Sequence, residues 1–286
     1  MGRRSNPMVR AAMKAYPSSL AGEVVKSFDV VGDVAVIKVP PKLMDGRFRL
    51  AEALLEELPN VKVVLRQTSP HLGDYRVRGV EWLAGERRTT TIYSEHGCRF
   101  KVDLAKVYFS PRLSYERMRV AGLVEEEEEV FNMFAGVGCF SVMIAKHRGA
   151  TVYSVDINPD AAKYMHLNVK LNKVHGKVHV LLGDSRFIAL SSLKGRMDRV
   201  LMPLPLRAYD YLDAAVQALK RRGFIHYYDV EEAKTKRDAL SKVELKVARR
   251  LRDLKVGFKI SSSRVVREVG PRAFQVVLDL EVEKLV

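Results

Sequence analysis

Apolar and polar positions follow two rhythms along the 286 residues, and the change comes near Pro111. Before it, Val24, Val25, Phe28 and Val30 lead to a Gly32-Asp33 turn and then to Val34-Ala35-Val36-Ile37, which predicts a strand pair over residues 27–39. Residues 50–58 are helical by composition and stop at Pro59-Asn60. Residues 61–65 read as a strand, and the polar stretch 67–73 as an exposed loop. Two further strands, 90–94 and 99–102, flank a Glu95-His96-Gly97 turn. Residues 1–110 therefore predict a small α+β domain.

Past that point apolar strands alternate with helices. Helices are predicted over 113–120, 141–146, 160–171 and 209–219, and strands over 130–134, 152–156, 178–182, 199–202 and 224–228. This alternation builds a mostly parallel sheet with helices on both faces. Leu240, Val243, Val247, Leu251 and Leu254 stripe one side of an amphipathic helix over 234–255. The tail, 263–269 and 274–283 around Gly270-Pro271, reads as an antiparallel pair closing the sheet. Residues 111–286 thus predict a second domain, a doubly wound α/β sheet.

Charge narrows the partners. Lys plus Arg number 49 against 34 Asp plus Glu, a net charge of +15. A basic excess of this kind suits a polyanion, because it attracts phosphates and releases their counterions, although solubility or adaptation to heat produces the same balance. The stretch 234–259 holds ten Lys/Arg against three Asp/Glu, either to track RNA backbone or as the wet side of its helix. No run of apolar residues is long enough to span a membrane, and the basic start lacks the apolar stretch of a secretory signal. Cys98 and Cys139 are too few for a disulfide framework or a zinc site. A soluble, cytoplasmic, monomeric protein without a metal is expected.

The chemistry gathers at strand ends. Phe134-Ala135-Gly136-Val137-Gly138 follows a predicted strand and opens a helix, so its glycines let the backbone turn tightly against a ligand. Asp156 ends the next strand, 20 residues after Gly136, where a carboxylate can accept from both hydroxyls of a ribose. Asp184, with Ser185 after it, ends the third, where a carboxylate and a backbone N–H can read an adenine edge. Dinucleotide enzymes share the first two signals, but their third glycine is Ser141 here. The rhythm is closer to class I S-adenosylmethionine (SAM) methyltransferases.

A narrower resemblance rests on Tyr108-Phe109-Ser110-Pro111-Arg112-Leu113, Glu116-Arg117, Met133-Phe134-Ala135-Gly136-Val137-Gly138 and Asp156-Ile157-Asn158-Pro159. With Asn168, Leu171-Asn172-Lys173 and Ile225-His226-Tyr227-Tyr228, the chain resembles the archaeal/eukaryotic-type tRNA (guanine-37-N1)-methyltransferases over about residues 27–283. The resemblance implies an RNA-contacting α+β domain followed by a SAM domain, with the chain starting just before the former. It implies tRNA, through its anticodon stem-loop, as partner. It places SAM against Tyr108, Arg117, Phe134, Gly136, Asp156, Ile157, Asp184, Ser185 and Pro203, with Glu116 as general base and Arg112 facing the target base. The chemistry agrees: guanine N1 is a poor nucleophile until its proton leaves, a carboxylate can take that proton, and an arginine can stabilise the charge moving to O6. The competing reading makes Glu116 and Arg117 a solvated helix face, while His226 reads as core and wall packing ahead of proton transfer.

Two departures from the family pattern matter. Asn132 stands where an Asp is usual, and Met202-Pro203-Leu204-Pro205 replaces Asn-Leu-Pro. Pro203 offers only a backbone carbonyl where Asn offers an acceptor and donors. Pro-Leu-Pro is similar to the archaeal branch linked to wyosine synthesis, which implies methylation at guanine N1, at C7 of the 4-demethylwyosine precursor, or at both. Two alternatives stay open: the aminocarboxypropyl transferase of the same pathway, and a nucleic-acid-binding module with a degenerate SAM pocket.

Overall fold

The structure, a computed structural model, describes residues 6–73 and 75–285. The chain divides into two compact units, Met1–Arg112 and Leu113–Val286.

In the first unit, α1 (Pro7–Ala15) starts at Asn6, whose side chain accepts from the Met8 N–H, with Pro7 in the first turn. It buries Met8, Ala11, Ala12 and Ala15, and α2 (Ser18–Ala21) follows. Neither helix is among the expected elements. Their buried face is mostly alanine, so the apolar period is faint even though Asn-Pro is a legible start signal. The strands β1 (Asp29–Val31) and β2 (Val34–Ile37) pair antiparallel. Helix α3 (Arg47–Glu57) leads to β3 (Val63–Leu72), parallel to β2, and β4 (Val77–Gly85), antiparallel to β3. The stretch 67–73 is therefore strand as far as Leu72 rather than a loop. One polar side chain reaches the neighbouring strand, Ser69 Oγ accepting from the Gly79 N–H at 2.8 Å, and the pairing slips register between Gln67 and His71. The hairpin of β5 (Thr90–Glu95) and β6 (Cys98–Asp103) turns through His96 and Gly97, both at positive φ, as a two-residue turn requires. Met8, Ile37, Leu43, Leu50 and Leu54 lie in the core of this unit.

The second unit starts with α4 (Ser114–Leu123). Then β7 (Glu129–Asn132), α5 (Cys139–Arg148), β8 (Thr151–Asp156), α6 (Pro159–Leu171), β9 (Val178–Leu182), α7 (Ser185–Leu190), β10 (Met197–Met202), α8 (Leu212–Ala218) and β11 (Leu219–Glu232) alternate as the pattern predicts. Helix α9 (Lys236–Asp253) precedes a long hairpin, β12 (Val256–Gly270) and β13 (Ala273–Lys284). The seven strands lie in the order β12-β13-β11-β10-β7-β8-β9. From β11 to β9 they are parallel, and β13 and β12 join antiparallel. Successive strands β7, β8 and β9 march one way, while β10 returns to the other side of β7. That reversal opens a crevice at the carboxyl ends of the strands, the place where such sheets bind ligands. Phe131, Val155, Val200, Tyr227 and Leu278 are buried in the core beneath it.

Candidate active site

At the end of β7 the chain passes through Gly136 (φ +57°) and Gly138 (φ +86°) into α5. Left-handed backbone at both positions suits glycine, and a Cβ on Gly138 would also come within 2.8 Å of Met165 Cγ. The loop is tied to the neighbouring strand end: the Gly136 N–H donates to Asp156 Oδ2 at 2.7 Å, and the Asn158 N–H to Oδ1 at 2.9 Å. Burial pushes the Asp156 carboxyl above its usual range, against the N–H groups of Asn158, Gly136 and Ile157. Each Asp156 oxygen receives one of these two hydrogen bonds, and with the Ile157 N–H the carboxylate's four acceptor places are not all filled. Ile157, next along, is 46% exposed.

Asp184 caps α7, with Oδ1 accepting from the Arg186 and Phe187 N–H groups at 2.7 and 3.2 Å. Among the described residues, its Oδ2 meets a single long bond, from the Tyr211 hydroxyl at 3.4 Å. Ser185 is buried, whereas Phe187 is 72% exposed. Tyr211 also stacks edge-on against Phe134, ring centroids 5.1 Å apart. Phe134 and Asp184 are thus joined through Tyr211, a wall residue that no local motif marks. Pro203, half-buried, follows β10, and the Leu204 N–H closes a tight turn onto the Met202 carbonyl.

Glu116 is 3% exposed on α4, which rules out a solvated face. Its Oε1 accepts from the Tyr228 hydroxyl at 2.8 Å and from Arg119 Nη2 at 2.7 Å, and Oε2 accepts from Arg119 Nε at 2.9 Å. Arg119 turns its other edge to Asp279, with Nη1 to Oδ2 at 2.6 Å and Nη2 to Oδ1 at 3.1 Å. Asp279 Oδ1 lies 2.6 Å from His226 Nδ1, and His226 Nε2 lies 2.9 Å from Arg199 Nη1. Arg199 ends the chain on Glu128, at 2.6 and 2.8 Å. Burial opposes ionisation of Asp279, yet His226 and Arg119 hold its carboxyl well below the usual range. Burial also pushes the Tyr228 phenol well up, reinforced by the Glu116 charge, so it stays a donor. Arg117, on the same helix, is buried as well. Sequence reasoning found Glu116, Arg117 and His226 but not Arg119 or Asp279, because the partners stand on distant strands.

Tyr108 and Arg112 belong to the first unit. Tyr108 is half-buried with the Arg76 guanidinium 5.4 Å from its ring centre, and Arg112 Nε donates to Asp29 at 2.8 Å.

The crevice fits SAM. A nucleoside needs acceptors for its ribose and apolar faces for its base, which Asp156, Ile157 and Phe187 can offer. Asn132 Oδ1, at the foot of the glycine loop, is buried without a hydrogen-bond partner and could receive an ammonium group or a water between. Among the described residues no group of His, Cys, Asp or Glu could hold a metal ion, and no helix is long and apolar enough to cross a membrane.

Residues 91–256 match the TRM5/TYW2 methyltransferase domain, and residues 9–89 the TYW2 N-terminal domain. The chain is 40% identical to the tRNA (guanine(37)-N(1))-methyltransferase Trm5b of Pyrococcus abyssi over 271 residues, 93% of this chain and 78% of that protein. A crystal structure of Trm5b from that organism superposes with a TM-score of 0.86 at 36% identity, covering 99% of this chain and 82% of that one. The chain is also 36% identical to the tRNA 4-demethylwyosine(37)-methyltransferase Taw21 of Saccharolobus solfataricus, over 91% of this chain and 95% of that protein. A crystal structure of TYW2 from M. jannaschii in complex with AdoMet superposes with a TM-score of 0.70 at 27% identity, covering 91% of this chain and 100% of that one.

Proposed function

Because this chain belongs to the TRM5/TYW2 methyltransferase family, we propose that it is a SAM-dependent tRNA methyltransferase acting on the purine at position 37 of the anticodon loop. The target is guanine N1, C7 of the 4-demethylwyosine precursor, or both. The observation that carries this reading is the bond between Gly136 and Asp156, which ties the glycine loop to the neighbouring strand end at the switch point of the sheet. When bound, SAM supplies a methyl group on an already activated sulfonium leaving group, so no metal is required.

In this reading Asp156 takes the ribose hydroxyls, Asp184 and Ser185 read the adenine, and Ile157 and Phe134 pack against it. The backbone at Gly136 lets the cofactor approach, and Arg117, Tyr108 and the Pro203 carbonyl complete its site. Glu116 accepts the N1 proton of guanine, and Arg112 stabilises the charge left on the ring. Replacing the usual Asn by Pro203 removes side-chain donors and an acceptor from the transfer point. That change favours the tricyclic precursor, whose ring carbon attacks before any proton leaves. The protein acts in the cytoplasm as a monomer, and sedimentation with and without tRNA checks the latter.

The test is product mapping. The chain is incubated with methyl-labelled SAM and either guanine-37 tRNA or tRNA carrying the wyosine precursor, and the modified nucleosides are identified by mass. One methyl group on purine 37 of at least one substrate is expected. No methylated product from either, with SAM bound, would sink the proposal.

A further inference from the structure

We infer that Arg119 is a positioning residue of the reaction: it fixes which oxygen of Glu116 is left to take the substrate proton, and a neutral His226 fixes Arg119 in turn through Asp279. This inference rests on reading Glu116 as the base.

A carboxylate offers about four acceptor places, two on each oxygen. Oε1 of Glu116 holds the Tyr228 hydroxyl and Arg119 Nη2, so it is full. Oε2 holds Arg119 Nε and keeps one place. The planar guanidinium fork fixes that choice, because its opposite edge is seated on both oxygens of Asp279.

Asp279 is fixed from behind. Arginine has no acceptor, so Arg199 Nη1 must donate to His226 Nε2, which therefore carries no proton. The proton sits on Nδ1 and is donated to Asp279. His226 is thus neutral and held in one tautomer; its burial, which depresses its pKa, agrees. Arg199 is seated on Glu128 and also donates through Nη2 to the carbonyl of Leu123, the last residue of α4. The helix bearing Glu116 is gripped at its middle and at its end, from β10, β11 and β13.

Other charged groups also stand near this helix. Arg117 lies beside Glu116 in sequence, Arg264 of β12 stacks over Tyr115, and Arg148 of α5 donates to the carbonyl of Val124. Arg119 is paired with the Glu116 carboxylate, Nη2 to Oε1 at 2.7 Å.

The proton step follows. The N1–H bond of guanine breaks, the proton goes to Oε2, and the electron pair stays on nitrogen. Nitrogen then bonds the methyl carbon while the carbon–sulfur pair returns to sulfur. Arg119 is seated on Asp279 and keeps its place on Glu116 through the step.

The experiment is single-turnover methylation of guanine-37 tRNA across about pH 5 to 9, where a base reveals itself as an acid limb. Wild type is compared with Arg119→Gln, Arg119→Lys and Glu116→Gln, each checked for folding by thermal melts and for SAM binding by calorimetry. Arg119→Gln removes the cation, so the acid limb should move up by about one pH unit or more and the plateau should fall about 10-fold or more. Arg119→Lys keeps the charge without the fork. Its limb should stay near the wild-type position while its plateau still falls. A folded, slow Arg119→Gln with an unmoved limb overturns the inference. If Arg119→Gln does not fold, a wild-type plateau in Arg119→Lys overturns it instead. A Glu116→Gln enzyme with the wild-type rate and profile would defeat the base reading itself, whatever Arg119 does.

Discussion

At the cofactor crevice the ligand-facing surface is largely backbone: Gly136 and Gly138 at positive φ, one strand-end carboxylate holding their loop, and apolar side chains left in the open. At α4 the reverse holds. There the reactive group is buried and its orientation comes from Arg119 and from side chains on three strands, one of which, Asp279, lies 160 residues from Arg119. The crevice has spare acceptor capacity, and the clamp at α4 has almost none. A site that must admit and release a cofactor needs the first construction, whereas a base that must present one oxygen needs the second.

The contrast makes its strongest demand on Glu116. Glu116→Gln keeps shape and most hydrogen bonding but deletes basicity, so the single-turnover rate at guanine N1 should fall ~10²–10⁴-fold with SAM and tRNA binding retained. Loss at C7 of the wyosine precursor should be smaller, because a base helps there only if late proton loss limits the rate. Equal loss on both substrates would make Glu116 a shared positioning group.

Asp156→Ala strikes the crevice instead. SAM affinity should drop by about 1–3 kcal/mol in calorimetry, since a charged acceptor is lost beside the ribose site. Because burial raises the Asp156 pKa above its ordinary 3.8, affinity should also start to fall at a higher pH than a normal aspartate would give as acid is added. Unchanged affinity would remove Asp156 from the site. Gly138→Ala tests the backbone itself. A φ of +86° and a Cβ 2.8 Å from Met165 Cγ should cost about 1–2 kcal/mol of stability, read from denaturant unfolding, and loosen SAM binding with it. A variant as stable as wild type would show that the loop tolerates a side chain.

The smallest effect is at the back of the clamp. His226 has its pKa lowered by burial from 6.5, only partly offset by Asp279. The unfolded chain therefore binds a proton that the folded chain refuses. This stability is fully present above about pH 6.5 and is lost as pH falls from there toward the folded pKa, by at most ~1.4 kcal/mol per pH unit. His226→Gln should flatten that part of the pH–stability curve. A slope identical to wild type would mean that His226 is protonated in the folded state.

What could be read in the sequence follows the same division. The glycine loop, Asp156 and Asp184 announce themselves because each sits where a predicted strand meets a helix, and the signal is local. Glu116 and Arg117 were legible only through a family resemblance, since a charged pair on a helix reads equally well as solvated. Arg119 and Asp279 carry no local mark: their meaning depends on β13 lying beside β11, an antiparallel pairing that leaves no motif around position 279. In the first unit, α1 escaped because alanine gives little hydrophobic contrast, and residues 67–72 were taken from loop to strand by cross-strand bonds that composition cannot show.

Which carbon leaves the sulfonium separates methyl transfer from aminocarboxypropyl transfer. SAM labelled in its methyl carbon and SAM labelled in its carboxyl carbon are each incubated with the chain and with tRNA carrying guanine 37 or the wyosine precursor, and label in nucleotide 37 is counted. Methyl label entering the tRNA with the carboxyl label left in solution is the predicted result. Carboxyl label appearing at position 37 would mean aminocarboxypropyl transfer and would contradict the assignment.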